Sequence, residues 1–349
     1  MLLKRPLDPA RRGSDSGPMT QPAPLPVFFD RDCDLEVVRG KRTAVVGYGS
    51  QGRAQALNLR DSGVRDLKIG VREGRSADAA RADGFQVVPV PEAAAWAEVL
   101  ALLTSDEAHR DLYRDEIAPH LKDGACLVFA HGLSVRFGLV EPGPRLDVVL
   151  VSPKGIGPRI RELYEAGQGV FGLFAIHQEA TGQARRIGLS FAAALGCGRR
   201  AILETTFKDE CESDLLGEQA VLCGGVMELV HAAFETLTEA GYPAEVAWFE
   251  CFYELKLVVD LLWERGIAGG FGKISNTAEY GAYLTGPRVI GPEARAALRA
   301  VLAEVQDGGF VRRLMADHDA GFPDLTARRA RLAEHPIEAV QARLNALKP

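Results

Sequence analysis

An α/β domain with a parallel sheet, followed by an all-α domain, is the architecture this sequence predicts. Three observations carry the prediction. Short apolar runs alternate with helix-forming stretches up to about residue 203. Three glycines in the pattern G-x-G-x-x-G join the first strand to the first helix. From Glu204 onward few candidate strands remain, and long helical segments dominate. Strands alternating with helices indicate a parallel sheet wrapped on both faces.

Taken in order, residues 1–28 are rich in Pro, Arg, Ser and Gly and read as a disordered leader, with Met19 as an alternative start. The segment lacks the apolar core of a secretory signal. "RTAVVGYGSQGRAQALNLRDSG" then reads as strand, glycine turn and helix. "DLKIGV", "FQVV", "VLALLT", "ACLVFAHG", "DVVLVSPKG" and "GLFAIHQ" follow as strands. Helical stretches such as "SADAARADG" and "AHRDLYRDEIAPHL" separate them. Residues 29–203 are therefore assigned to a dinucleotide-binding domain and 204–349 to a helical domain. Helices are expected there over roughly 212–240, 243–266, 291–305 and 336–347.

The chain has 349 residues, enough for two domains with substantial cores. Its net charge of −6 gives no global bias toward nucleic acid or an anionic membrane. Apolar runs are broken by charge or glycine before a membrane-spanning length. The expectation is a cytoplasmic protein with neither nucleic acid nor membrane as partner. The six cysteines contain no C-x-x-C pair, which favours free thiols in a reducing compartment over a zinc site.

Gly47, Gly49 and Gly52 sit where a Rossmann-type unit holds a pyrophosphate. The first allows the tight turn, the second lets the backbone approach the anion, and the third lets helix and strand pack closely. A ligand-free glycine turn is the bland alternative, but both the preceding strand and the following helix fit. At the end of the second strand, where NAD-binding domains carry an acid, the chain reads "VREGRSAD". Arg72, Arg75 and Ser76 suit a 2′-phosphate, which favours NADPH. Asp78 opposes that reading, and a solvated loop is the alternative for the arginines.

Asp214 and Glu218 lie four apart in "SDLLGEQAVLCGG", and Glu250 and Glu254 repeat the spacing in "FECFYELKLVVDLLW". Residues four apart share one stripe of an α-helix. One such pair is more often a solvated face than a site. Two pairs on apolar helices, behind a nucleotide-binding domain, favour a divalent cation, since buried like charges need compensation. Oxygen ligands without Cys or His suit Mg²⁺.

These residues are similar to the ketol-acid reductoisomerase family, in its short class I form, from about Val27 to the C-terminus. The matching stretches include "VVGYGSQGRAQALNLRDSG", "FAHG", "PKG", "ETTFKDECESDLLGEQAVLCGG", "FETLTEAGY", "FECFYELKLVVDLLWERGIAG", "ISNTAEYGAYLTGPRVI" and "HPIEAVQARL". The resemblance implies two Mg²⁺ per active site and a homodimer, or an assembly of dimers, with a knotted helical domain. It implies metal ligation by Asp214 and Glu218 of one subunit and by Glu250 and Glu254 of the other. Ser275 and Cys223 would face the substrate. His131, Lys154 and Glu210 would be the catalytic group, with Glu210 outside the metal's own ligand shell. Cofactor contacts would fall on Gly47, Tyr48, Gly49, Ser50, Gln51, Gly52, Arg72, Arg75, Ser76, Asp106, His131 and Gly157. The implied reaction is alkyl migration in 2-acetolactate or 2-aceto-2-hydroxybutyrate, then reduction to a 2,3-dihydroxy acid of branched-chain amino acid biosynthesis.

The chain departs from the family pattern at Arg53, Leu133, Ile156, Pro158, Gly272 and Lys273. These changes surround the expected cofactor and substrate pocket while all four carboxylates stay. Two alternatives follow: a specialised paralogue with a different 2-alkyl substituent, or a plain NADPH-dependent reductase of 2-keto acids. A catalytically idle cofactor-binding partner is a third.

Overall fold

The computed structural model describes residues 23–347. Most of the expected leader, Met19 included, lies outside the described residues. The end of that stretch is ordered, contrary to expectation: β1 (Val27–Phe28) pairs antiparallel with the last strand of the sheet. Its backbone finds hydrogen-bond partners there despite the polar composition before it.

The remaining strands are β2 (Thr43–Val46), β3 (Leu67–Gly70), β4 (Gln86–Val88), β5 (Val99–Leu102), β6 (Cys126–Phe129), β7 (Asp147–Pro153), β8 (Phe171–Gln178) and β9 (Ala201–Glu204). They form one sheet in the order β1-β9-β8-β7-β6-β5-β2-β3-β4. Every residue of β2 is buried, with Val45 in the core on one face and Ala44 and Val46 in the core on the other. That double burial is why these strands read as unbroken β-branched runs. Val46 aligns with both Gly70 and Leu102, and Leu102 with Phe129. The carboxyl ends of β2, β3, β5 and β6 thus share one edge. The chain order reverses at β2, where a ligand crevice opens in such sheets.

The sheet is mixed, which corrects the all-parallel expectation. β8 runs antiparallel to β7, and β9 follows β8 in parallel. The cause is the helix Gly157–Glu165. It packs against the helix Ser50–Asp61 instead of crossing back along the sheet face; a Cβ on Gly157 would lie 2.0 Å from the Ser50 carbonyl oxygen. The chain therefore re-enters at the edge it left, with Lys154 N–H bonded to the Phe171 carbonyl at 2.8 Å.

The helical domain departs from the sequence-based helices in two ways. Helices Asn276–Val289, Gly309–Asp319 and Pro323–Ala333 are additional. Two of them bury no residue, and the third turns only Val311 and Met315, one turn apart, toward a core, so the apolar signal in the sequence is weak. Secondly, both acidic segments contain a π-turn, at Glu218–Leu222 and Phe249–Tyr253. Such widened turns gather at functional sites. The first is followed by Gly224 and Gly225, whose Cβ atoms would sit 2.1 and 2.0 Å from the carbonyl oxygens of Gln219 and Ala220. Only glycine accepts that approach.

A shared core of Leu133, Cys211, Leu215, Val305, Val311 and Met315 joins the two domains. The helical domain's own buried cluster is small: Val230, Phe234, Ala247, Trp248, Ile337 and Val340. The helix Glu254–Phe271 and its successor expose Trp263 (70%), Ile267 (73%) and Tyr280 (68%). One helical run, Phe207–Glu239, is long and apolar enough to cross a membrane by length and composition, which corrects the reading of the apolar runs. Its Leu215, Val230 and Phe234 are buried in protein cores.

Candidate active site

The site is built where β6 and β7 end and the first long helix of the second domain begins. His131 lies two residues past β6, and Lys154 directly follows β7. Glu210 stands in the first turn of the helix Phe207–Gly217, whose N-cap Thr206 accepts from Asp209 N–H at 2.9 Å. A Cβ on Gly132 would meet the Phe207 carbonyl oxygen at 2.5 Å, so the glycine lets loop and helix touch.

Glu210 is 1% exposed and both its oxygens are fully engaged. Oε2 accepts from His131 Nδ1 at 3.1 Å and from Gly132 N–H at 2.8 Å. Oε1 accepts from Ser152 Oγ and Lys154 Nζ, each at 2.9 Å. Lys154 also donates to Asp214 Oδ1 at 2.8 Å, and His131 Nδ1 lies 3.5 Å from Asp214 Oδ2. Burial works against the charge on Glu210, but His131 and then Lys154 outweigh it and hold the carboxyl at about 2. Burial also lowers His131, yet Cys211 and Glu210 outweigh that and raise it to about 11. Glu210 is thus an anchor that orients a histidine and a lysine, with no lone pair to spare.

The signs give a stability prediction for the metal-free protein. Glu210 ionisation stabilises the fold above the unfolded carboxyl value near ~4.3, and that contribution is lost as pH falls toward 2. The His131 contribution is present below its unfolded value near ~6.5 and is lost as pH rises toward 11. Denaturant unfolding should show the steep loss below pH ~4.3 in wild type and a flatter profile in Glu210→Gln. Parallel acid limbs for the two proteins would remove Glu210 as the cause.

Asp214, Glu210 and His131 bring ligand atoms within 4.8 Å of one another. Glu218 begins the π-turn beyond Asp214; burial and then the Asp214 charge push its carboxyl upward. Two acids that repel each other, both oxygen donors, fit a hard divalent cation. Glu250 in the second π-turn and Glu254 directly after it are exposed, and among the described residues of one chain they do not join this cluster. The resemblance places these two carboxylates at the site of a second copy. Ser275 caps the helix Asn276–Val289, its Oγ accepting from Ala278 N–H at 3.1 Å, which leaves the hydroxyl proton free. Cys223 is exposed at the end of the first π-turn.

A cavity of about 670 Å³ opens along the carboxyl edge of the sheet beside Gly47, Tyr48 and Gly49. Gly47 has φ 100°, and a Cβ there would strike the Leu103 backbone at 2.7 Å; one on Gly52 would strike the Gly47 oxygen at 2.2 Å. A Cβ on Gly49 would meet nothing, so protein atoms leave that approach open. Thr104, another lining residue, has its Oγ1 buried without a hydrogen-bond partner. These features fit a dinucleotide. Thr104 was missed in the sequence, although a hydroxyl two residues past a strand at the crevice is a readable signal.

Arg72, Arg75 and Ser76 line the same cavity. Asp78 does not; its carboxylate lies 3.7 Å from Arg81. The acid of this loop that does line it is Glu73, which the sequence reading passed over, and Arg81 forks onto it at 2.8 and 2.5 Å; Asp111, Asp115 and Glu116 line the cavity from another segment. Among the described residues, Arg72 and Arg75 have no acidic partner. Several predicted cofactor residues also bond or pack within the protein. The Tyr48 hydroxyl bonds Asp83 at 2.8 Å, where Arg53 also forks, and Gln51 donates to the Gly155 carbonyl at 2.8 Å. Ser50 and Gly157 pack against each other. Asp106 opens the helix Asp106–Leu112, 3.7 Å from His109. Of the departures, Leu133 is buried in the interdomain core, whereas Ile156 is 71% exposed.

Residues 37–201 match the family described as acetohydroxy acid isomeroreductase, NADPH-binding domain, and residues 207–349 match the ketol-acid reductoisomerase C-terminal domain. The solved structure of an NADH-preferring ketol-acid reductoisomerase from an uncultured archaeon is 41% identical, with TM-score 0.90 over 93% of this chain and 99% of that one. Two structures at 16% identity share the fold alone, each over 76% of this chain. One is a semialdehyde dehydrogenase NAD-binding protein from Cupriavidus necator, TM-score 0.58 over 99% of its own chain. The other is an oxidoreductase from a Jannaschia species, TM-score 0.57 over 97% of its own chain. With a nucleotide crevice, a buried Glu210 anchor and an acidic π-turn in place, and with both family domains matched, this chain belongs to the ketol-acid reductoisomerase family.

Proposed function

We propose that the protein is a Mg²⁺-dependent ketol-acid reductoisomerase that uses NADPH and acts as a homodimer in the cytoplasm. Its substrates are 2-acetolactate and 2-aceto-2-hydroxybutyrate, and its products are the 2,3-dihydroxy acids of branched-chain amino acid biosynthesis. The observation that carries this reading is Glu210. It is a buried carboxylate that spends both oxygens on holding His131 and Lys154 against Asp214.

Asp214 and Glu218 of one subunit, with Glu250 and Glu254 of the second copy, would hold the two Mg²⁺. Bound Mg²⁺ supplies Lewis-acid polarisation of the substrate's vicinal oxygens. The nicotinamide supplies the hydride. Lys154, gripped by two carboxylates that outweigh its burial, keeps its proton and places positive charge beside Asp214. His131, fixed through Nδ1, is oriented to steady or relay a proton at the substrate's hydroxyl. The Ser275 hydroxyl proton is available to a substrate carboxylate.

NADPH oxidation measured with 2-acetolactate and with 3-hydroxy-3-methyl-2-oxobutyrate, each with and without Mg²⁺, tests the reading. Turnover of both only with Mg²⁺ is expected. Turnover of the second alone would make the protein a plain reductase.

The NADPH assignment rests on charge. Arg81 neutralises Glu73, so Arg72 and Arg75 leave the loop net positive. The archaeal relative's preference for NADH supports the opposite choice. Replacing Arg72 and Arg75 by alanine should raise KM for NADPH roughly ten- to a hundredfold, with KM for NADH nearly unchanged. A wild-type kcat/KM higher with NADH would contradict the assignment.

A further inference from the structure

The cofactor cleft has one wall that the sheet domain does not supply. His318, from the helix Gly309–Asp319 of the helical domain, lines it together with Ala108 and Leu112. Arg72, Arg75 and Ser76 line this cavity too, whereas Glu210 and Asp214 do not. Arg72, Arg75 and Ser76 belong to the segment after β3, where Rossmann-type domains hold the adenosine ribose of either dinucleotide. His318 therefore borders the adenosine half, far along the cofactor from the reacting ring.

Three separate devices hold the imidazole there. Its Nδ1 lies 3.1 Å from Asp319 Oδ1. Arg110 forks onto Asp319 at 2.7 and 3.2 Å and onto Asp111, another lining residue, which ties the two domains together across the cleft. The ring also packs edge-on against Phe322, 5.3 Å between centroids. Phe322 is the only non-glycine among the described residues with a left-handed backbone, at φ 61° and ψ 45°. A bulky residue adopts that conformation only when its surroundings impose it. Here they do: Phe322 N–H bonds the Asp317 carbonyl at 2.7 Å, and the Asp317 carboxylate accepts from Asp324 and Leu325 N–H at 2.9 and 3.0 Å.

We propose that His318 recognises the adenine base of the nicotinamide cofactor. In the neutral ring whose Nδ1–H donates to Asp319 Oδ1, Nε2 carries a lone pair, and it has no protein partner among the described residues. It is an acceptor for the exocyclic amine of adenine. The inference rests on a dinucleotide occupying this cleft and is independent of whether that dinucleotide is NADPH or NADH.

Equilibrium titration of the full chain with NADPH, NADH and their hypoxanthine counterparts, which carry a carbonyl in place of the amine, tests it. Wild type should bind the adenine forms about tenfold more tightly than the hypoxanthine forms, on the scale of one hydrogen bond. His318→Ala should weaken NADPH and NADH by the same factor and leave the hypoxanthine forms unchanged. Arg110→Met frees Asp319 without altering the ring and should shift the adenine-to-hypoxanthine ratio in the same direction by less. Loss of NADPH affinity alone would assign His318 to the phosphate, and an unchanged ratio in both variants would take it out of recognition; either result overturns the proposal. Failure of wild type to bind any of the four dinucleotides would instead overturn the cofactor assignment on which it stands.

Discussion

Asp214→Asn should lower NADPH-coupled turnover of 2-acetolactate by about a hundredfold or more while the protein stays folded. Asparagine keeps the shape and an oxygen for Lys154, now at 2.8 Å from Oδ1, but removes the charge. Three consequences converge. The cation loses a carboxylate that Glu218 cannot replace alone. Lys154 and His131 keep Glu210 as anchor, so the local fold survives. Glu218, whose carboxyl the Asp214 charge helps to raise, should ionise more readily in the variant. The readouts are steady-state turnover and Mg²⁺ affinity, with thermal unfolding as the check on folding. Turnover within tenfold of wild type would place metal ligation elsewhere.

The second large effect is expected at Trp263. Trp263→Glu should convert the protein to a monomer with almost no activity. Trp263, Ile267 and Tyr280 are exposed on helices that bury almost nothing within the chain, and Leu257, Val258 and Val259 are exposed beside them. So many large apolar side chains exposed on one stretch of chain mark an interface. A second copy is the occupant proposed here, because Glu250 and Glu254 stand on the same segment and do not reach Asp214 within one chain. An aromatic anchor replaced by a charge at the centre of an interface removes a large share of the association energy. Sedimentation and turnover should therefore fall together. A fully active monomer would detach the exposed arm from catalysis.

Local features were legible in the sequence and contacts between distant segments were not. The glycine turn reads directly, because Gly47 and Gly52 answer steric demands set within a few residues. Buried strands such as Thr43–Val46 announce themselves as β-branched runs. The direction of β8 could not be read, since it depends on Gly157 meeting Ser50 more than a hundred residues away. The π-turns were hidden by the assumption of regular helix, although Gly224 and Gly225 after an acidic segment were the available clue. Asp214 was picked out by its spacing from Glu218, and His131 and Lys154 by family resemblance, but their common dependence on Glu210 appears only when three segments meet. His318 carried no signal at all, because it enters the cleft from the other domain.

Subunit complementation tests the shared metal site most directly. Asp214→Asn and Glu250→Gln chains, each inactive alone, are co-expressed so that they pair at random. If every site draws Asp214 from one copy and Glu250 from the other, a mixed dimer keeps one intact site of two. About a quarter of wild-type activity should then return, from symmetry and random pairing. Activity no higher than that of either variant alone would mean that each chain builds its site by itself.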